Sequence, residues 1–117
     1  MTQAKVYLFT SPTCPHCPAA KRFINKFKKT REDFVLIDVS TATRNGEKLA
    51  KKFGVMSVPT FIIRGPGYPR NIGLSGVQSE DSMNKFIDLA VGLKSEEEIM
   101  HKEKGFFGKL IEAIKSS

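Results

Sequence analysis

The chain alternates between two hydrophobic patterns, and that alternation narrows its fold more than any other feature. Short β-prone runs at 6–9 (VYLF), 34–37 (FVLI) and 60–63 (TFII) are apolar throughout or nearly so, and a weaker one spans about 70–74. Their length and residue types are those of buried strands. Between them the apolar residues recur at helical spacing. Ala20, Phe23, Ile24 and Phe27 form one stripe in a helix predicted from Pro15 to Lys29. Leu49, Ala50 and Phe53 form a second over 45–53, with Lys48, Lys51 and Lys52 outward and Gly54 as the stop. Met83, Phe86, Ile87, Ala90 and Val91 form a third over 80–93, with Ser79 as its N-cap. Gly65-Pro66-Gly67 is turn chemistry, so the last two strands read as a hairpin. The order is β-α-β-α-β-β-α. Strands joined through helices need parallel crossovers and the hairpin adds an antiparallel strand, so a four-stranded mixed sheet of α/β class is expected, with helices on both faces.

A chain of 117 residues has room for one core and a short appendage. We divide it into a domain over 1–93 and, over 94–117, a charged spacer with a short amphipathic helix. The net charge of +7 resides in the first part, which carries 14 Lys/Arg against 7 Asp/Glu; the remainder carries 5 against 5. Few aromatics interleave with the Lys21–Lys29 cations as base-stacking surfaces would, so a solvated basic surface is expected and no nucleic-acid partner. The N-terminus shows no export signal, and no apolar run is long enough to span a bilayer. The expected compartment is the cytoplasm, where a cysteine pair is seldom a permanent staple.

Chemistry concentrates between the first strand and the first helix, in Ser11-Pro12-Thr13-Cys14-Pro15-His16-Cys17. The nucleophile of disulfide exchange is a thiolate, and a helix N-terminus favours negative charge. Cys14 is accordingly placed at the helix start, with Pro15 in the first helical position, where a missing N–H costs nothing. Two intervening residues bring Cys17 one turn on, in reach of a mixed disulfide at Cys14. His16 can stabilise the Cys14 thiolate, which would make the disulfide more oxidising. Pro18 is expected to distort the first turn by removing an N–H that would bond the Cys14 carbonyl. A structural zinc site needs four ligands; the chain has two cysteines and two histidines, with His101 far away in the tail, so no metal is assigned. A strand–C-x-x-C–helix arrangement is the redox one, and the dithiol itself calls for no cofactor.

Three elements in order extend this reading: Cys14-Pro15-His16-Cys17 after the first strand, Val58-Pro59 before the third, and Ser75-Gly76-Val77 after the fourth. Together they resemble the thioredoxin superfamily over about residues 4–93. The resemblance implies a thioredoxin-like three-layer sandwich with a C-terminal helical extension. It implies that Pro59 is cis, that Val58 pairs by backbone with an extended substrate segment, and that Gly76 sits in a third substrate-contacting loop. On it Cys14, Cys17, His16 and Pro59 are assigned catalytic roles, and Val58, Pro15, Ser75 and Gly76 substrate contacts. The chain departs from thioredoxins in lacking tryptophan and in placing Leu8 where they carry a buried aspartate. It departs from glutaredoxins in lacking their Gly-Gly turn and acidic cap at Leu74–Gln78, and from periplasmic oxidases in lacking an inserted helical domain. The overall likeness is to compact thioredoxin/glutaredoxin-like proteins of archaea and anaerobic bacteria.

These readings converge on a protein-disulfide oxidoreductase, monomeric or weakly dimeric. Its partners would be disulfide-containing proteins and, as electron donor, an upstream reductase or a low-molecular-weight thiol. The alternatives are a glutathione-dependent glutaredoxin and a metal-binding or interaction module on the same fold. In the tail, Ser95 and Glu98 make a capping-box pattern. Phe107, Leu110, Ile111 and Ile114 form a small apolar face. That face is expected to dock on protein, membrane contact being the alternative.

Overall fold

A computed structural model describes residues 3–97 and residue 99. The elements are β1 (Ala4–Thr10), α1 (Cys17–Phe27), β2 (Phe34–Ser40), α2 (Arg44–Phe53), β3 (Thr60–Gly65), β4 (Tyr68–Ser75) and α3 (Glu80–Val91). This is the predicted order. The sheet runs β2-β1-β3-β4, and β1 and β2 are parallel, as expected of a helical crossover. β3, however, is antiparallel to β1, so the β2–α2–β3 connection is not the expected parallel crossover, and β3–β4 is the antiparallel hairpin.

Side-chain alternation along β1 sorts the core into two layers. Ala4, Val6 and Leu8 point to one face, where Ala20, Ile24 and Phe27 of α1 and Met83, Ile87 and Ala90 of α3 cover them. Tyr7 and Phe9 point to the other, against Leu49, Ala50 and Phe53 of α2. Full burial of side chains such as Ile24 or Phe27 stabilises by ~1.5–3 kcal/mol each, so the predicted stripes supply most of the adhesion between layers.

The strands reach further than their apolar runs. Thr10, expected in a turn, pairs with Ser40 and is buried, and Val39 joins the α2-side core. Backbone pairing with β2 holds these residues in the sheet whatever their polarity. The helix caps follow the expected chemistry: Ser79 Oγ accepts from the Ser82 N–H at 3.2 Å, and Thr43 Oγ1 accepts from the Gly46 N–H at 2.9 Å.

Two long-range clasps complete the domain. Arg31 forms a two-pronged pair with Asp33 (Nε–Oδ1 2.6 Å, Nη2–Oδ2 2.7 Å) and reaches Asp88 of α3 at 2.9 Å, tying the entry of β2 to α3. The hairpin turn is held to the end of α3, where the Gly67 N–H donates to the Ala90 carbonyl at 2.8 Å. A Cβ on Gly67 would overlap the backbone of Gly92.

After α3 the chain stays on the core. Lys94 Nζ lies 3.6 Å from Asp88, burial and the Glu96 charge raise the Tyr68 pKa, and Ile99 is buried among the α1/α3-side residues. The predicted amphipathic helix over 106–115, and the spacer beyond residue 99, lie outside the described residues. Among the described residues no helix is long and apolar enough to cross a membrane.

Candidate active site

Three connections meet near the C-terminal end of β1. The first follows β1 itself and carries both cysteines; the second leads into β3 and the third leaves β4. The predicted start of α1 needs correction. Its first helical residue is Cys17, His16 is the N-cap, and Pro18 occupies the second helical position. Cys14 and Pro15 belong to the preceding turn, in which the Cys14 N–H donates to the Ser11 carbonyl at 3.2 Å. The cause is Pro18. Within a helix begun at Pro15 its ring would press on the Cys14 carbonyl and its missing N–H would leave that carbonyl unpaired. With the start moved to Cys17, the missing N–H falls among those with no helical partner in any case. The distortion expected of Pro18 is thereby avoided.

This shift sets the electrostatics of the thiols. Cys14 is half-buried and Cys17 buried, and both are free thiols. Partial desolvation pushes the Cys14 thiol up. Hydrogen bonds to its sulfur from the Cys17 thiol and from the backbone N–H groups of His16 and Cys17 outweigh this, and its pKa is lowered. Burial pushes Cys17 up, and donation to Cys14 raises it further. The Ser11 backbone and the Lys21 ammonium oppose these effects without offsetting them, so the Cys17 pKa is raised. The two thiols are therefore pushed in opposite directions, Cys14 toward the thiolate and Cys17 toward the thiol.

The second connection abuts the first. The Val58–Pro59 peptide is cis. Cys14 Sγ lies 3.5 Å from the Val58 carbonyl, bridging 44 positions of sequence. Thr60 Oγ1 donates to the Ser57 carbonyl at 2.7 Å and closes the turn around the cis bond. The third connection is held to the second, the Gly76 N–H donating to the Pro59 carbonyl at 2.8 Å. Cys14, Cys17, Val58, Pro59 and Gly76 thus form one neighbourhood. Ser75 ends β4 opposite Thr60 and is exposed, as are Pro15 and His16. His16 reaches Cys14 through its backbone N–H.

Sequence reasoning missed two groups that act on Cys17 and one exposed apolar side chain on the loop before Pro59. Ser11 and Lys21 act on Cys17, and Lys21 was findable from its i, i+4 spacing on α1. Met56, on the loop leading to Val58, is 95% exposed. Leu8, where a thioredoxin carboxylate was expected to be missing, is fully buried in the α1/α3-side core.

Comparison with known proteins decides the family. A family model described as Glutaredoxin matches residues 6–66. The thioredoxin of Methanocaldococcus jannaschii is 43% identical over 65 residues, covering 56% of this chain and 75% of that protein. The chain belongs to the thioredoxin/glutaredoxin superfamily. A probable thioredoxin of Archaeoglobus fulgidus is 45% identical over 56 residues, 48% of this chain and 60% of its own length. Among solved structures, a mutant thioredoxin from Halobacterium salinarum NRC-1 superposes with a TM-score of 0.66 over 80% of this chain and 79% of that one. At 19% identity that likeness speaks for the fold. Within the superfamily, this chain is a thiol–disulfide oxidoreductase with Cys14–Cys17 as its C-x-x-C pair.

Proposed function

We propose that the protein reduces disulfides in protein substrates. The Cys14 thiolate attacks one sulfur of a substrate disulfide, a mixed disulfide forms, and the other substrate sulfur leaves as a thiolate that takes up a proton. Cys17 then gives up its proton and attacks Cys14 Sγ. The second substrate thiol is released and the Cys14–Cys17 disulfide forms, so two electrons have passed to the substrate. An upstream reductase or a low-molecular-weight thiol returns them.

The observation that carries this reading is the placement of the low-pKa Cys14 sulfur beside the Val58 carbonyl. An extended substrate segment bonding to the Val58 backbone would lay its disulfide along Cys14, with affinity from main-chain bonds and little sequence demand. Pro59 shapes that edge, while Gly76, Ser75, Pro15 and the exposed Met56 border it. His16 tunes the thiolate. The cytoplasm is the setting in which such a reductant works.

A second reading, glutathione-dependent glutaredoxin activity, is favoured by the Glutaredoxin family match. Reduction of a protein disulfide with a dithiol donor, compared with glutathione, separates the two: the dithiol should support much the faster turnover. Activity retained in Cys14→Ser would sink the mechanism, and turnover only with glutathione would replace it with the second reading.

A further inference from the structure

Lys5 of β1 and Arg64 of β3 are directly opposed across the antiparallel ladder. Like charges in that position repel and weaken a sheet. Arg70 of β4 joins them around a pocket of about 450 Å³ at the hairpin end of the sheet, with Gln3, Tyr68 and Asn71 also in its lining. Arg64 lies over the Phe53 ring at 5.6 Å, a contact that fixes the guanidinium without neutralising it. Among the described residues none of the three cations has a carboxylate within ion-pair distance. One carboxylate borders the lining: burial and then the charge of Glu96 raise the Tyr68 pKa. Five strand steps separate Lys5 from Thr10, roughly 17 Å at the usual rise, so the pocket is remote from the thiols.

We propose that this pocket binds a compound carrying two or more linked phosphate groups. Three cations around one polar concavity, none in an ion pair among the described residues, match a multiply charged anion better than a single carboxylate. Two of them are guanidinium forks, suited to phosphate oxygens, and the Asn71 amide adds a neutral donor. A bound polyanion would also turn the repulsion between Lys5 and Arg64 into shared attraction. The pocket's size suits a small ligand.

Calorimetric titration of the full chain with tripolyphosphate at low ionic strength tests this. Saturable one-site binding is expected, at least tenfold tighter than with orthophosphate and weakened by added salt. R64Q and R70Q should each weaken it at least tenfold. K28Q/K29Q, which removes charge from the end of α1, should change it less than twofold. Thermal melts check that the variants fold. K5Q supplies a further variant, since it relieves the cross-strand repulsion and should melt no lower than the parent. Sedimentation with phosphatidylcholine vesicles doped with CDP-diacylglycerol, whose headgroup carries two linked phosphates, assigns the source of the phosphates. Co-sedimentation lost in R64Q and competed by tripolyphosphate means a lipid headgroup; tripolyphosphate binding without co-sedimentation means a soluble ligand. No saturable binding, equal affinity for orthophosphate, or an equal loss in K28Q/K29Q overturns the proposal.

Discussion

The Gly76 amide donates to the Pro59 carbonyl at 2.8 Å, so the loop after β4 is anchored to the proline loop that faces Cys14. Gly76 holds a φ of +84°, while a Cβ there would meet nothing within 4 Å. The demand for glycine is therefore conformational, with room left over the site. Gly76→Ala should cost ~1 kcal/mol of stability. It should also raise KM for a protein disulfide several-fold while sparing a small aromatic disulfide. Equal effects on both substrates would remove the substrate-contact role.

The split between the thiols predicts ordered alkylation. Cys14 is lowered and Cys17 raised, so at neutral pH iodoacetamide should modify Cys14 well before Cys17, as read by peptide mass spectrometry. Replacing Cys17 by Ala removes the thiol donor to Cys14. The midpoint of its rate–pH curve should then move upward, towards the usual thiol range.

Because the His16 backbone N–H serves Cys14 while its ring is exposed, two substitutions separate their contributions. His16→Ala keeps the amide; His16→Pro removes both. Related dithiols span about −270 to about −120 mV. His16→Pro should move the potential toward the reducing end by about 30 mV, equivalent to ~1.4 kcal/mol, and His16→Ala by less. Two unchanged potentials would end the tuning role of His16.

Arg31 should dominate the acid sensitivity of the fold. Its hydrogen-bonded guanidinium lowers the Asp33 pKa against the opposing effect of desolvation. A depressed carboxylate contributes stability that is present above its unfolded pKa and lost as pH falls through the folded one. Chemical denaturation should show that loss below the ordinary carboxylate range, and Asp33→Asn should flatten it. Arg31→Ala should cost ~2 kcal/mol at neutral pH, with redox chemistry little changed.

Gly67→Ala should lower the melting temperature without altering the redox potential. The added methyl group would run into the backbone of Gly92, which has no flexible end to yield. A variant as stable as the parent would mean that the turn moves freely from α3.

The layers were legible because Ile24, Phe27, Met83 and Ile87 declare their faces by spacing alone. The reach of β1 to Thr10 was not, since it depends on pairing with Ser40. The start of α1 was misplaced because Pro15 and Pro18 each suit an early helical position, and only the clash with the Cys14 carbonyl chooses between them. The cis state of Pro59 came from resemblance, and its contact with Cys14 spans 44 positions that no local pattern encodes. The Arg31–Asp88 clasp and the opposition of Lys5 and Arg64 likewise exist only once register and packing are set.

Leu8 has a consequence for the movement of protons. Leu8 is fully buried hydrocarbon, and among the described residues no carboxylate figures among the groups acting on Cys17. The proton that Cys17 releases on resolving a mixed disulfide should then leave through the exposed face, to water or to the departing substrate sulfur. The pH profile of turnover should accordingly be set at the exposed face of the site, with no inflection from a buried carboxylate.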